Sequence, residues 1–140
     1  MALTTVNAYL TFDGTAADAI ALYERALGAK VTFLQRFREI PGAQFEGADA
    51  DRVMHATLSL GSGTVMVSDT MPGMGTLTTG TAMNVAVQYD STDEVDVQFA
   101  ALAEGGRVTM PLENTFWGAR FGTLVDRYGV NWMFNAELPK

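Results

Sequence analysis

A chain of 140 residues suits one domain with a real core, and its 48% apolar content is ordinary for a globular protein. With no cysteine it has no disulfides, thiolate metal sites or cysteine nucleophiles, and the composition fits a reducing compartment, so a cytoplasmic location is expected. A net charge of −7 repels phosphate backbones and argues against nucleic acid, while the lack of any apolar run near the roughly 18 residues that span a bilayer, and of a basic stretch leading into an apolar block, argues against a membrane span and a signal peptide.

Val6, Ala8, Leu10 and Phe12 alternate with Asn7, Tyr9 and Thr11, the period-two pattern of a half-buried strand. Thr15 stands where it can cap a helix, with Asp18 three residues on. Ala16, Ala19, Ile20, Tyr23, Ala26 and Leu27 then fall on one helical face, and Gly28 sits where a left-handed C-terminal residue is wanted. Val31–Phe37 returns as a strand. Arg38–Arg52, with Pro41, Gly42 and Gly47, reads as a long loop of the kind that is often functional or mobile. Met54–Leu60 and Thr64–Asp69 make a hairpin around Gly61-Ser62-Gly63. The Gly/Thr-rich stretch Met71–Thr81 reads as a linker.

The second half repeats the first. Asn7–Thr32 aligns with Asn84–Thr109 at an offset of 77 without a gap. Seven of the 26 positions are identical: Asn7/Asn84, Asp13/Asp90, Thr15/Thr92, Ala26/Ala103, Gly28/Gly105, Val31/Val108 and Thr32/Thr109. Val85, Val87 and Tyr89 alternate with Asn84, Ala86 and Gln88. Thr92 can cap a second helix with Asp93 and Glu94 in its first turn, Val95, Phe99 and Leu102 share a face, and Gly105 ends it. Val108–Leu112 returns as a strand. Arg120–Val125 and Val130–Asn135 form a hairpin around Asp126-Arg127-Tyr128-Gly129. The expected organisation is two βαβββ modules in one domain over residues 1–140, module one about 4–70, a linker about 71–81 and module two about 82–138. One helix covers one face of a sheet, so the other face must curve, pair with its sister or meet another chain. Two units sharing a strongly curved sheet around a cleft satisfy this.

Parity assigns the faces. Val6, Leu10, Phe12, Leu58, Leu60, Val65, Val67, Val85, Val87, Trp132 and Phe134 are expected under the helices. The other side then carries Asn7, Tyr9 and Thr11; His55, Thr57 and Ser59; Met66 and Ser68; Asn84, Ala86 and Gln88; and Asn131, Met133 and Asn135. Such a polar face with two thioethers suits a small-molecule site; a solvated face or a dimer surface is the competing reading.

Three sets of residues stand out together: Tyr9-Leu10, Ala19-Ile20 and Leu22-Tyr23 up to Leu27-Gly28-Ala29; Met54-His55-Ala56 with Leu58 and Gly61; and Phe116-Trp117-Gly118-Ala119-Arg120-Phe121-Gly122 leading into Asp126, Gly129 and Trp132. In these the chain resembles the glyoxalase, bleomycin-resistance and extradiol dioxygenase superfamily, the vicinal oxygen chelate fold, and within it the PhnB-like branch often labelled demethylubiquinone-methyltransferase-like. The resemblance implies an α+β fold of two βαβββ modules forming a strongly curved mixed sheet around a cleft, and a homodimer. No glycine-rich strand-to-helix turn of the kind that cradles a nucleotide-like cofactor is present, and no cofactor is expected.

In the superfamily's metalloenzymes, four inward ligands on the first and last strands of the two modules hold a divalent ion. Carried onto this chain, those positions are Asn7, Asn84, Met133 and Met66, or Ser68 if the hairpin slips by one register pair. Two neutral amides and two thioethers are poor donors for Zn²⁺, Ni²⁺, Mn²⁺ or Fe²⁺, so no metal is expected. His55, the only histidine, can ligate, act as a general base or hydrogen-bond a ligand, or be a structural histidine with a backbone partner. Glu39, Glu46, Asp49 and Asp51 can approach from the long loop, and Glu113 can enter the cleft mouth. Trp117 and Arg120 can stack on and pair with a planar anion, or Phe116, Trp117 and Phe121 can fill the junction between modules while Arg120 pairs with a carboxylate such as Asp126. Met71 and Met74 can pack around a ligand or a dimer partner. The expected ligand-binding set is Asn7, Tyr9, His55, Met66, Asn84, Trp117, Arg120 and Met133, with His55 as the catalytic candidate. Three functions fit: a metal-free protein that binds a small aromatic or anionic molecule, the reading favoured here; a metal-dependent lyase, isomerase or dioxygenase; and a metal-free enzyme with His55 as general base.

Overall fold

In the computed structural model, which describes residues 2–42, 44–73 and 76–140, the chain divides into two units, one ending at Leu77 and the other beginning at Thr78. The first contains β1 (Ala8–Phe12), α1 (Ala16–Leu27), β2 (Lys30–Arg36), a 3-10 turn (Phe37–Glu39), the short α2 (Ala48–Asp51), β3 (Val53–Leu60) and β4 (Gly63–Asp69). Its sheet runs β1-β4-β3-β2, with β1 parallel to β4 and the other pairs antiparallel. The second unit repeats this as β5 (Val85–Tyr89), α3 (Val95–Ala103), β6 (Arg107–Asn114), β7 (Ala119–Val125) and β8 (Asn131–Glu137), in the order β5-β8-β7-β6. The expected βαβββ unit is therefore present twice. The register repeats as well: Leu10 lies opposite Val67 and Val87 opposite Phe134. The long loop departs from expectation by holding two short helices, anchored by buried Phe37 and Ala50.

Each helix covers one face of its own sheet. In the first unit Ala16, Ala19, Ile20, Leu22, Tyr23 and Ala26 are buried, α1 packs on β3 and β4, and Phe12, Ala56, Leu58, Val65 and Val67 lie on the covered face. In the second, Val95, Phe99 and Leu102 of α3 and Trp132, Phe134 and Leu124 of the sheet are buried, α3 packs on β8, and the Phe99 and Phe134 rings stand edge to face at 5.1 Å. Of the residues expected under the helices, Phe12, Leu58, Val65, Val67, Trp132 and Phe134 are buried, and Leu10, Leu60, Val85 and Val87 are half-buried; Val6 precedes β1 and is 81% exposed, and Ser68, expected on the open face, is buried.

The helix ends correct two expectations. Neither Thr15 nor Thr92 caps a helix with its side chain: no side-chain cap bond forms at Thr15, and α3 starts later, after Glu94. The first amide of α1 is instead met by buried Asp69 from the end of β4. Its Oδ1 accepts N–H bonds from Gly14 (2.8 Å) and Ala16 (3.0 Å), and its Oδ2 accepts one from Val53 (2.9 Å). A carboxylate there satisfies orphan donors and complements the helix dipole. Gly28 and Gly105 do adopt left-handed backbones (φ 69° and 77°), as the sequence predicts. A second buried carboxylate, Asp126, organises the β7–β8 turn. Its Oδ1 accepts from the Tyr128 and Val130 amides (2.8 and 3.1 Å), and its Oδ2 from the Trp132 indole (2.8 Å).

Tyr89 ties β5 to α3, its hydroxyl donating to Gln98 Oε1 at 2.5 Å while its ring stacks on Phe134. Burial first, and the Glu94 carboxylate second, push its phenol up to about 12. The fold thus favours the neutral phenol, whereas the unfolded chain ionises near the ordinary value of 10.0. Stability from this group is full below the lower value and lost as pH rises through the higher. Urea midpoints should therefore fall between these two pH values, and Tyr89→Phe should lose less over that window than the unsubstituted protein.

Candidate functional site

The face of the first sheet opposite α1 brings four side chains into one row. Tyr9 lies opposite Met66, Met66 opposite Thr57, and Thr57 opposite Phe33. His55 lies one pair along on the same side, since alternate residues of a strand share a face. Its Nδ1 is 3.0 Å from the Tyr9 hydroxyl and its Nε2 is 3.3 Å from Thr57 Oγ1. The Tyr9 and Phe33 rings stand 5.6 and 6.0 Å from the imidazole, both tilted to it. Tyr9 is 48% exposed and Phe33 50% exposed, while His55 and Met66 are half-buried. A neutral imidazole has one donor and one acceptor nitrogen, and a hydroxyl can play either part. The two hydroxyls therefore suit either tautomer, and the Tyr9 oxygen stays open to a further partner.

Of the residues expected here, Tyr9, His55 and Met66 come together. Asn7 is half-buried just before β1, two residues ahead of Tyr9 in the Tyr9–Met66 pair. Phe33 is absent from the sequence reading, which places it on a strand without a face; alternation from Val31 would have misled, because a register shift between them pairs Val31 with Leu58 on the covered side and Phe33 with Thr57 on the open side. Arg52 was missed too. It donates to Asp13 Oδ1 (2.8 Å), Thr70 Oγ1 (2.6 Å) and the Thr70 carbonyl, closing the corner between β1 and α1. The Arg52 hydrogen bond holds the Asp13 carboxyl below its usual range.

The second sheet does not repeat this chemistry. By register, Ala86 replaces Tyr9, Met133 replaces Met66, Thr123 replaces Thr57, Phe121 replaces His55 and Met110 replaces Phe33. Asn84 is exposed just before β5, and Gln88 and Asn135 hydrogen-bond each other at 3.1 Å. Trp117 sits in the turn between β6 and β7, 58% exposed, its ring 5.1 Å from Phe116 and 6.1 Å from Phe121. Thr115 shapes that turn through hydrogen bonds with both backbone groups of Ala119.

Arg120 is corrected in both position and partner. It lies between Asn114 and Ala136, on the α3 side of the sheet, away from Phe121 and Met133. Its Nε and Nη2 hold Asp96 of α3 at 2.7 and 3.2 Å, and its Nη1 holds Asn114 at 3.1 Å. Asp126 is instead engaged by its own turn and by Trp132. Among the loop carboxylates, Glu39 accepts the Arg36 amide (2.9 Å) and Asp51 pairs with Arg38, while Glu46 and Asp49 are exposed. Met71 is exposed, and Met74 lies outside the described residues. Among the described residues no three His, Cys, Asp or Glu side chains gather as a metal-holding group, and no helix is long and apolar enough to cross a membrane.

The duplicated βαβββ frame and its uncovered sheet faces agree with the comparison against protein families. The model of the Glyoxalase/Bleomycin resistance protein/Dioxygenase superfamily matches residues 5–134, and the chain belongs to that superfamily. Within it, the likeness is to the PhnB-like branch. The chain is 30% identical over 139 residues to YjdN of Escherichia coli K12, covering 93% of both proteins. The solved structure of PA1353 from Pseudomonas aeruginosa matches with a TM-score of 0.85 at 36% identity, covering 98% of this chain and 100% of that one. The putative 3-demethylubiquinone-9 3-methyltransferase PhnB from Bacillus cereus matches with a TM-score of 0.75 at 28% identity, covering 97% and 100%.

Proposed function

We propose that this protein binds a small aromatic molecule, without a metal ion, on the open face of its first sheet. The observation that carries this is the Tyr9–His55 contact of 3.0 Å on a sheet face its own helix leaves uncovered. Beside that polar pair, Phe33 and Met66 offer a ring face and a polarisable thioether, the mixture of apolar wall and few polar anchors that small-molecule sites use. The anionic half of the expected ligand loses its support, because the Arg120 guanidinium is committed to Asp96 and Asn114. The metal-free half rests on donor chemistry: the positions that carry ligands in the superfamily's metalloenzymes hold Asn7, Met66, Asn84 and Met133, and such amides and thioethers bind hard or borderline divalent ions weakly. In this reading the active form is a homodimer, as the family resemblance implies.

A second reading is favoured by the same contact. An imidazole held by a phenol has a ring nitrogen able to take up a proton from a bound molecule, and so is equipped for general-base work without a metal. With one histidine in the chain, the His55 Cε1–H resonance is a unique reporter. A panel of phenols and aromatic heterocycles should shift it, and His55→Ala should weaken the best binder by roughly tenfold, the loss of one good polar contact. A compound that binds equally well to His55→Ala and to Tyr9→Phe would sink the site. Turnover abolished in His55→Ala with affinity little changed would select the enzyme. Near-stoichiometric retention of zinc, nickel, manganese or iron after desalting would overturn the metal-free reading.

A further inference from the structure

The second sheet has its own uncovered face, and its Trp117 end has a different chemistry. Phe116 is 97% exposed and Trp117 58% exposed, and with Phe121 they form a run of edge-to-face rings. Solvent-exposed rings in contact with one another are not core residues that failed to bury; they form a surface patch. Two carboxylates border it by register. Glu113 on β6 lies directly opposite Phe121, about one strand spacing of 4.8 Å away, and Glu137 on β8 lies opposite Ala119, a diagonal neighbour of Phe121 at about 7–8 Å; alternation puts both on the same side as Phe121. Both glutamates are exposed. The neighbouring cation is turned away: Arg120 occupies the opposite face and is neutralised by Asp96. Arg107 lies opposite Val125, four residues along β7 from Phe121 and so roughly 13 Å distant.

Aromatic faces are negative at their centres, and a cation over them gains most where carboxylates add to the field. The net charge of −7 acts in the same direction at longer range. We propose that this end of the second sheet binds an organic cation, with Trp117 and Phe121 as the ring surface and Glu113 and Glu137 as the counter-charges. The site lies in the second unit and does not depend on the Tyr9–His55 reading. An aromatic quaternary or protonated amine has the shape and charge that the arrangement selects, whereas an anion would meet two carboxylates and no free guanidinium.

The test uses three probes of one size: benzyltrimethylammonium, benzyl alcohol and benzenesulfonate. The Trp117 indole N–H reports binding, and the Trp132 indole, buried and bonded to Asp126, reports an intact fold in each variant. The cation should bind at least tenfold more tightly than either other probe. The double variant Glu113→Gln, Glu137→Gln should lose about tenfold for the cation alone, Trp117→Leu should abolish the response, and salt should weaken it, as exposed charges are screened. Equal shifts from all three probes, or an unchanged affinity in the double variant, would overturn the proposal. So would a cation that moves the His55 Cε1–H resonance and leaves Trp117 untouched.

Discussion

Replacing Asp69 by alanine should destabilise the first unit by about 3–5 kcal/mol, taking charge-assisted hydrogen bonds at about 1.5–3 kcal/mol each and allowing for partial rescue by water. The carboxylate is 4% exposed and accepts from three backbone amides, those of Gly14, Ala16 and Val53. Val53 and Ala16 are fully buried, so their amides have little access to water once the acceptor is gone. The loss is also cooperative in space. One side chain holds the turn before α1, the first residue of that helix and the first residue of β3, three points that the chain separates by many residues. Asp69→Asn keeps one oxygen and offers an amide where an acceptor is needed, so it should fall between, at about 1.5–2.5 kcal/mol. Urea unfolding followed by tryptophan-independent far-ultraviolet dichroism checks both values. An Asp69→Ala midpoint lying less than about 1 kcal/mol from that of the unsubstituted protein would mean the network is not what holds the corner.

Gly106→Ala is the second large effect, and its cause is steric. A Cβ at Gly106 would stand 2.2 Å from the Val125 carbonyl oxygen, 2.8 Å from the Asp126 carbonyl carbon and 2.9 Å from the Arg127 nitrogen. All three are backbone atoms at the end of β7, so no rotamer change relieves the overlap, and β6 must separate from β7 where their pairing begins. Overpacking of this kind costs about 1–3 kcal/mol or more, and the upper end or beyond is expected here. Gly28→Ala is the control. It meets no atom within 4 Å but carries a left-handed φ of 69°, which costs roughly 1–2 kcal/mol for a residue with a Cβ. Thermal unfolding that ranks Gly28→Ala as the more damaging of the two would refute the steric account.

Much of the frame was legible because it is written in short-range patterns. The offset of 77 between the copies survives in the structure as Ala8 against Val85 at the strand starts and Lys30 against Arg107 at the returns. Period-two alternation placed Tyr9, His55 and Met66 on one face. It could not show that Tyr9 reaches His55, because that contact needs the β1-β4-β3 order, and parallel neighbours are joined by long connections that leave no local signature. The helix caps failed for a related reason. Thr15 stands where an N-cap is wanted, but the carboxylate at this helix end comes from Asp69, more than fifty residues on, which accepts from the Gly14 and Ala16 amides. Arg120 illustrates a missed inference rather than a hidden one. Once β7 contains both Arg120 and Phe121, alternation alone forces them to opposite sides of the sheet. Glu113 and Glu137 show no relation in the sequence, because only the β6–β7–β8 register sets them on the two strands that flank Phe121.

The duplication also gives the chain an internal blank. Tyr9 and His55 in one copy correspond to Ala86 and Phe121 in the other, on strands paired in the same register. Side chains that differ between such superimposable positions are not dictated by the scaffold, since the scaffold accepts both. The phenol–imidazole pair and the aromatic–carboxylate patch are therefore divergent decorations on one twice-used backbone, and each copy shows what the other looks like undecorated.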